Sequence, residues 1–211
     1  VPAFLLAKDY ANDKWQIFIP VGESGKVAYI YDGGQGNLVA TSAYTSSNTS
    51  LNIGGAALVI NRIDCTKYGI GTKVIFINKF GIQQDLWFFL KSTKKINRTS
   101  TDYSSNTLVL SGGSTSYGLT NASKKIFNTK AKQSQTLSSG FYPEFAVEYF
   151  EQLLLSEYVW IEQTIESSGA VTQVPVTVKT SSVDIKTSVN DRLIEYTIEF
   201  EDAFDHINNI R

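Results

Sequence analysis

Residues 73–91 read KVIFINKFGIQQDLWFFLK: an apolar run, a glycine-centred break and an aromatic run. In an extended chain successive side chains point to opposite faces. Val74, Phe76 and Asn78 then share one face and Ile75, Ile77 and Lys79 the other, so the run is apolar on both sides until its polar end. That is the pattern of a strand buried from two sides. Phe80-Gly81-Ile82 interrupts it. Leu86, Trp87, Phe88, Phe89 and Leu90 follow, rich in the ring types that fit a pleated surface, and the intervening glycine makes the pair a hairpin. The stretch speaks for architecture before chemistry.

Working outward, short β-like runs recur at 14–20 (KWQIFIP), 27–31 (VAYIY) and 56–63 (AALVINRI). Glycine-rich turns separate them: Gly22-Glu23-Ser24-Gly25, Gly33-Gly34-Gln35-Gly36 and Tyr68-Gly69-Ile70-Gly71. Four further strands are expected at 158–163, 174–179, 183–186 and 193–200. In the last of them Ile194, Tyr196, Ile198 and Phe200 alternate with Leu193, Glu195, Thr197 and Glu199 and face the core. One amphipathic helix is predicted near 143–156. Pro143 and Glu144 suit its first turn, and Phe145, Tyr149, Leu153 and Ala146, Phe150, Leu154 form adjoining apolar stripes. The fold class is therefore mainly β, with β-sandwich-like domains and one prominent helix.

Residues 99–123 are polar and glycine-rich around a brief Leu108-Val109-Leu110 run and read as a long loop or linker. The 211 residues then divide into an N-terminal β domain (1–98), a basic Ser/Gly-rich linker (99–132) and a C-terminal β domain with the helix and a terminal docking arm (133–211). The net charge of −1 conceals an asymmetry across these parts. Residues 1–90 carry 7 Lys/Arg against 6 Asp/Glu, residues 91–132 carry 8 against 1, and residues 133–211 carry 4 against 13. Opposite potentials steer association, so the basic part of one subunit could meet the acidic part of a neighbour; a solvated loop beside a solvated acidic sheet is the plain alternative.

The inventory of reactive groups is thin. A single cysteine, Cys65, and a single histidine, His206, leave no intrachain disulfide and no usual zinc site. Gly22-Glu23-Ser24-Gly25-Lys26 has the wrong spacing for a phosphate loop, with Val27 where a Ser or Thr would reach magnesium, and reads as a hairpin turn. No GxSxG motif accompanies His206. Asp64, Asp85, Glu162 and Glu166 are the carboxylates that could converge as a glycosidase pair, although nothing in their spacing marks one. Trp15, Trp87 and Trp160 could stack on sugars if exposed, or fill the core. The basic block lacks a nucleic-acid reader motif, and no apolar run of about 20 residues suggests a membrane helix. No enzyme activity, cofactor, metal, specific nucleic acid or membrane insertion is expected.

Two segments carry a resemblance: INKFGIQQDLWFF (77–89) and VPVTVKTSSVDIKTSVNDRLIEYTIEFEDAFDHINNIR (174–211), joined by a helix ending in LLLSEYVWI. Over about half its length the chain resembles tail-associated structural proteins of tailed bacteriophages that infect Bacteroidetes, the crAss-like group included. The resemblance implies a virion component of a tail, ring or baseplate, partnered by copies of itself in a symmetric oligomer and by other phage tail or neck proteins. On that reading Phe204, Ile207, Ile210 and Arg211 of the terminal arm, with Lys124 and Lys125 of the basic block, are the candidate assembly residues. A surface β-sandwich that binds glycans or acts as an adhesin is the alternative.

Overall fold

The computed structural model describes residues 7–9, 14–30, 38–53, 56–64, 71–79, 81, 83–118, 120–164, 170–180 and 193–205. The first strands are β1 (Ala7–Asp9), β2 (Lys14–Pro20), β3 (Gly25–Ile30), β4 (Leu38–Tyr44), β5 (Ser50–Ile53) and β6 (Ala56–Ile63). Next come β7 (Thr72–Ile77), β8 (Gln83–Phe88), β9 (Ser92–Ser104), β10 (Leu108–Ser111), β11 (Ser114–Tyr117) and β12 (Lys124–Ser138). After β13 (Tyr142–Pro143) a 3-10 turn at Glu144–Ala146 leads into α1 (Val147–Leu155). The chain closes with β14 (Val159–Thr164), β15 (Val171–Val178), β16 (Leu193–Ile194) and β17 (Thr197–Asp202). The protein is mainly β with a large multi-strand sheet and, among the described residues, a single α-helix.

The 73–91 stretch forms the antiparallel β7–β8 hairpin that its pattern predicts, pairing Lys73 with Trp87 and Ile75 with Asp85. Val74, Ile75 and Phe76 are all buried, as expected for a strand covered on both faces. The hairpin sits at one end of a seven-stranded antiparallel sheet in the order β8-β7-β14-β15-β17-β12-β9. The registers place Val74, Phe76, Leu86, Phe88, Val159, Ile161, Val176, Leu137, Ile198 and Phe200 in the core, and α1 packs there through Tyr149, Phe150 and Leu153. Phe150 is the hub. Its ring lies edge-on to Phe88 and Tyr142, at 6.3 and 5.3 Å between centroids, and 4.7 Å from Tyr196. The Tyr142 hydroxyl donates to the Trp87 carbonyl at 2.6 Å, tying the helix approach to β8.

A smaller sheet, β1-β2-β6-β5, and the β3–β4 pair come from the N-terminal part; β2 and β6 run parallel. Ile17, Ile19, Val27, Tyr44, Leu58 and Ile60 belong to the same buried cluster as the large sheet and helix. Arg62 knits this part together: its guanidinium donates to the carbonyls of Glu23 (2.7 Å) and Thr45 (2.5 Å) and lies over the Tyr44 ring.

Several expectations need correction. Residues 99–132 are strand and hairpin: β9 and β12 pair over their length, and β10–β11 form a hairpin between them. The β-branched and Ser-rich alternation of 92–104, without a buried face, accounts for the loop-like composition. The sheet draws β7 and β8 from one side of the anticipated boundary and β14, β15 and β17 from the other, so 99–132 does not separate two sheets. Gly22 does turn, with φ of 92°, but β2 and β3 lie in different sheets and the turn is no hairpin. The strand expected at 193–200 breaks at Glu195-Tyr196 into β16 and β17, because the Tyr196 N–H turns to the Ser139 hydroxyl at 2.9 Å. Burial of Ile194, Tyr196, Ile198 and Phe200 is as expected. The turns at 33–36 and 68–70 and the strand at 183–186 lie outside the described residues.

Phe150→Ala should lower stability by about 3–5 kcal/mol, the usual loss for a fully buried ring, read from urea unfolding. Arg62→Lys, which keeps the charge but loses the fork, should cost about 2 kcal/mol in the same assay.

Candidate assembly interface

β12 has two environments. Its last part pairs with β17 from Ser134 to Ser138 on one side and with β9 as far as Leu137 on the other, and Leu137 is buried. Beyond Ser134 only β9 remains as a partner, so Ile96 to Ser104 and their partners from Gln133 back to Lys124 form a two-stranded arm. At ~3.4 Å per residue this arm extends about 30 Å past the sheet before the β10–β11 hairpin. Every residue of β9, β10 and β11 is exposed.

The register sorts the arm into faces. Lys125 lies opposite Tyr103, Lys130 opposite Thr99, Lys132 opposite Asn97 and Ser134 opposite Lys95, so one face carries four lysines among hydroxyl and amide groups. The other face carries Ile96, Arg98, Lys94, Lys124 and Ile126, with Asp102 opposite Ile126. A bulge between Ile126 and Asn128 leaves Phe127 without a pairing partner on β9, its side chain 77% exposed. Eight of the fourteen large hydrophobic side chains exposed among the described residues belong to the arm and its tip: Ile96, Tyr103, Leu108, Val109, Leu110, Tyr117, Ile126 and Phe127. An isolated hairpin is marginally stable in water, and this one adds apolar surface of the kind that marks interaction sites.

Lys124 and Lys125 stand at the far end of the arm, opposite Ser104 and Tyr103. Phe204 is about half exposed just after β17. Because β17 runs antiparallel to β12, its end leaves the sheet on the side from which the arm projects. Phe204 and the lysines thus share one end of the molecule without forming one site. Glu201 and Asp202, expected to begin a docking arm, instead lie within β17; Glu201 meets Lys179 at 2.9 Å and Lys132 at 3.2 Å, and these hold its carboxyl below the usual range. Ile207, Ile210, Arg211 and His206 lie outside the described residues. Sequence reasoning missed Ile126, and it could offer Tyr103 and Phe127 only as stacking rings of the basic block, because nothing local in 92–104 or 124–130 marks a paired ribbon.

Among the carboxylates considered for catalysis, Asp85 of β8 and Glu162 of β14 point to the same face of the sheet from either side of β7, around Lys73. Lys73 bonds Glu162 at 2.5 Å and lies over the Trp87 ring. Burial pushes Asp85 up to about 6; Lys73 opposes that shift and Glu162 adds to it. The adjoining cavity, lined by Ile17, Phe18, Gln84, Trp87, Tyr142 and Tyr149, measures about 20 Å³, room for one water molecule and too small for a sugar. Asp64 is exposed, and Glu166 lies outside the described residues. Trp87 is buried, as its core reading requires, while Trp160 is half-buried. Among the described residues no group of three or more His, Cys, Asp or Glu could hold a metal ion, and no helix is long and apolar enough to cross a membrane.

Scanning protein-family models and curated proteins found no match to the chain.

A raised carboxyl pKa means that the native state binds its proton more tightly than the unfolded chain. Asp85 therefore favours folding below its ordinary 3.8 and loses that contribution as pH rises through about 6. Asp85→Asn should stabilise the protein at pH 7.5 by up to about 3 kcal/mol, with little gain near pH 4, in urea titrations at the two pH values.

Proposed function

We propose that this protein is a non-enzymatic structural subunit of a phage virion, built into a tail, ring or baseplate through its projecting arm. The arm carries the reading: about 30 Å of two-stranded ribbon, basic on both faces with most of its lysines on one, studded with exposed Ile, Tyr and Phe, and continuous at its base with strands of the core sheet. A subunit of a large assembly has a use for such an element, because apolar surface outside the domain is covered once neighbours are in place. The likeness of 77–89 and 174–211 to phage tail-associated proteins supplies the virion context. Copies of the same chain are the first partners, other tail or neck proteins the next, and Phe204 adds contact area on the same side.

A second reading, glycan binding, has one observation in its favour. Tyr158 and Trp160 present rings 16° from coplanar with centroids 6.3 Å apart, and Tyr158 is mostly exposed. Two such rings make a stacking platform.

Replacing residues 99–130 by Asn-Gly joins Arg98 to its register partner Ala131 through a two-residue turn. The shortened chain should keep the circular dichroism of the parent and remain monomeric in light scattering, while the full chain forms rings or tubes in negative-stain images. A full chain that stays monomeric at every concentration, yet binds a glycan array and loses that binding on Trp160→Ala, would decide for the second reading.

A further inference from the structure

Helix α1 buries Tyr149, Phe150, Gln152 and Leu153 and turns another stripe outward. Glu148, Glu151 and Leu155 follow at intervals of three and four residues, the spacing that stacks side chains on one helix face, and Glu144 of the preceding 3-10 turn adds a further carboxylate at its start. All four are exposed, Leu155 by 83%, and Phe141 and Tyr158 flank the stripe with further exposed rings. Glu148 already meets Lys79 at 2.5 Å, and both groups are half exposed. The surface is acidic with apolar borders, and it complements the lysine face of the arm with its exposed Tyr103.

The two surfaces lie at opposite ends of β12. β12 runs from the arm's far end at Lys124 to Ser138, and the chain then passes through Tyr142 directly into the helix. Fifteen residues of strand at ~3.3 Å each put the far end of the arm about 50 Å from Ser138, where β12 ends on the side that leads to the helix. The arm points away from its own helix.

We infer that the lysine face of the arm, through Lys125 and Lys130, docks on the acidic stripe formed by Glu144 of the 3-10 turn and Glu148 and Glu151 of α1 in a second copy of this chain. Since one copy offers its arm and the other its helix, the contact is heterologous and repeats head to tail, which generates a ring or an open tube. Both surfaces stay accessible in the monomer, so their opposite charge also steers encounter and makes assembly sensitive to salt. The inference rests on the assembly reading above and names its partner surface.

Charge reversal tests it with the full chain. Lys125→Glu with Lys130→Glu makes arm and stripe both acidic; Glu144→Lys with Glu151→Lys makes both basic. Each double variant alone should sediment as a folded monomer under conditions where the parent assembles. Mixed in equal amounts they should co-assemble, because every arm then finds a stripe of opposite sign, and the chain carrying all four changes should assemble alone. Parent assembly should weaken by about tenfold or more between 50 and 500 mM NaCl. Should Glu144→Lys prevent folding, Glu144→Gln with Glu151→Gln should still weaken assembly.

If reversing the stripe leaves assembly intact while the Asn-Gly replacement of the arm abolishes it, the arm docks elsewhere; this inference falls and the assembly reading stands. If the parent is monomeric at every concentration and ionic strength, both fall. Retention of a random-sequence DNA duplex that Lys125→Glu/Lys130→Glu abolishes, with assembly unchanged, would assign the lysine face to a polyanion and overturn the inference.

Discussion

Four residues of β12, Ser134 to Leu137, are paired on both flanks, to β17 and to β9, and the rest of the molecule hangs on that double pairing. A lone two-stranded ribbon gains too little burial to hold its shape in water. Here the ribbon continues a ladder whose base is closed by a third strand and pinned by buried Leu137. The strand therefore leaves the core with its direction set by the sheet, through packing that the exposed arm does not itself possess. The same base delivers the chain into Ser139, whose hydroxyl accepts from the Tyr196 N–H, and onward into the helix.

Within the same core the constraint is aromatic. Phe88, Tyr142, Phe150 and Tyr196 meet at centroid distances between 4.7 and 6.3 Å, mostly edge to face, so the helix has a specific seat on the sheet. Burying one side of α1 there determines which side remains outside, and that side is acidic. The core thus orients the two charged surfaces with respect to each other: a basic arm leading away from one end, an acidic helix behind its base. Such polarity suits a repeating contact better than a closed pair of identical faces. Asp85 stands apart from this scheme as a buried carboxylate beside a cavity of about 20 Å³, where desolvation outweighs the attraction of Lys73.

Much of the fold was legible in the chain. The two-face burial of Val74, Ile75 and Phe76, the β7–β8 turn, the apolar stripes of α1 and the core-facing Ile194, Tyr196, Ile198 and Phe200 all follow from side-chain period alone, because burial imposes that period locally. The candidate site was less legible. In 92–104 neither face is buried, so no hydrophobic alternation announces a strand, and Thr, Ser and Lys look the same in a solvated loop as in an exposed ribbon. Lys124 and Lys125 could be singled out by charge, but their neighbours Tyr103 and Phe127 gain meaning only from the register and its bulge.

By itself, the sequence determined that the protein is mainly β with one amphipathic helix, that its reactive groups are few, and that its charge is divided into a basic block and an acidic end. Only the tertiary structure decided that the basic block is a projecting arm, that strands from both sides of it join one sheet, and that the acidic stripe of α1 faces outward at the other end. The reason is physical: period and composition are properties of neighbouring residues, whereas pairing partners, register and the direction of a ribbon are set by hydrogen bonds between residues tens of positions apart.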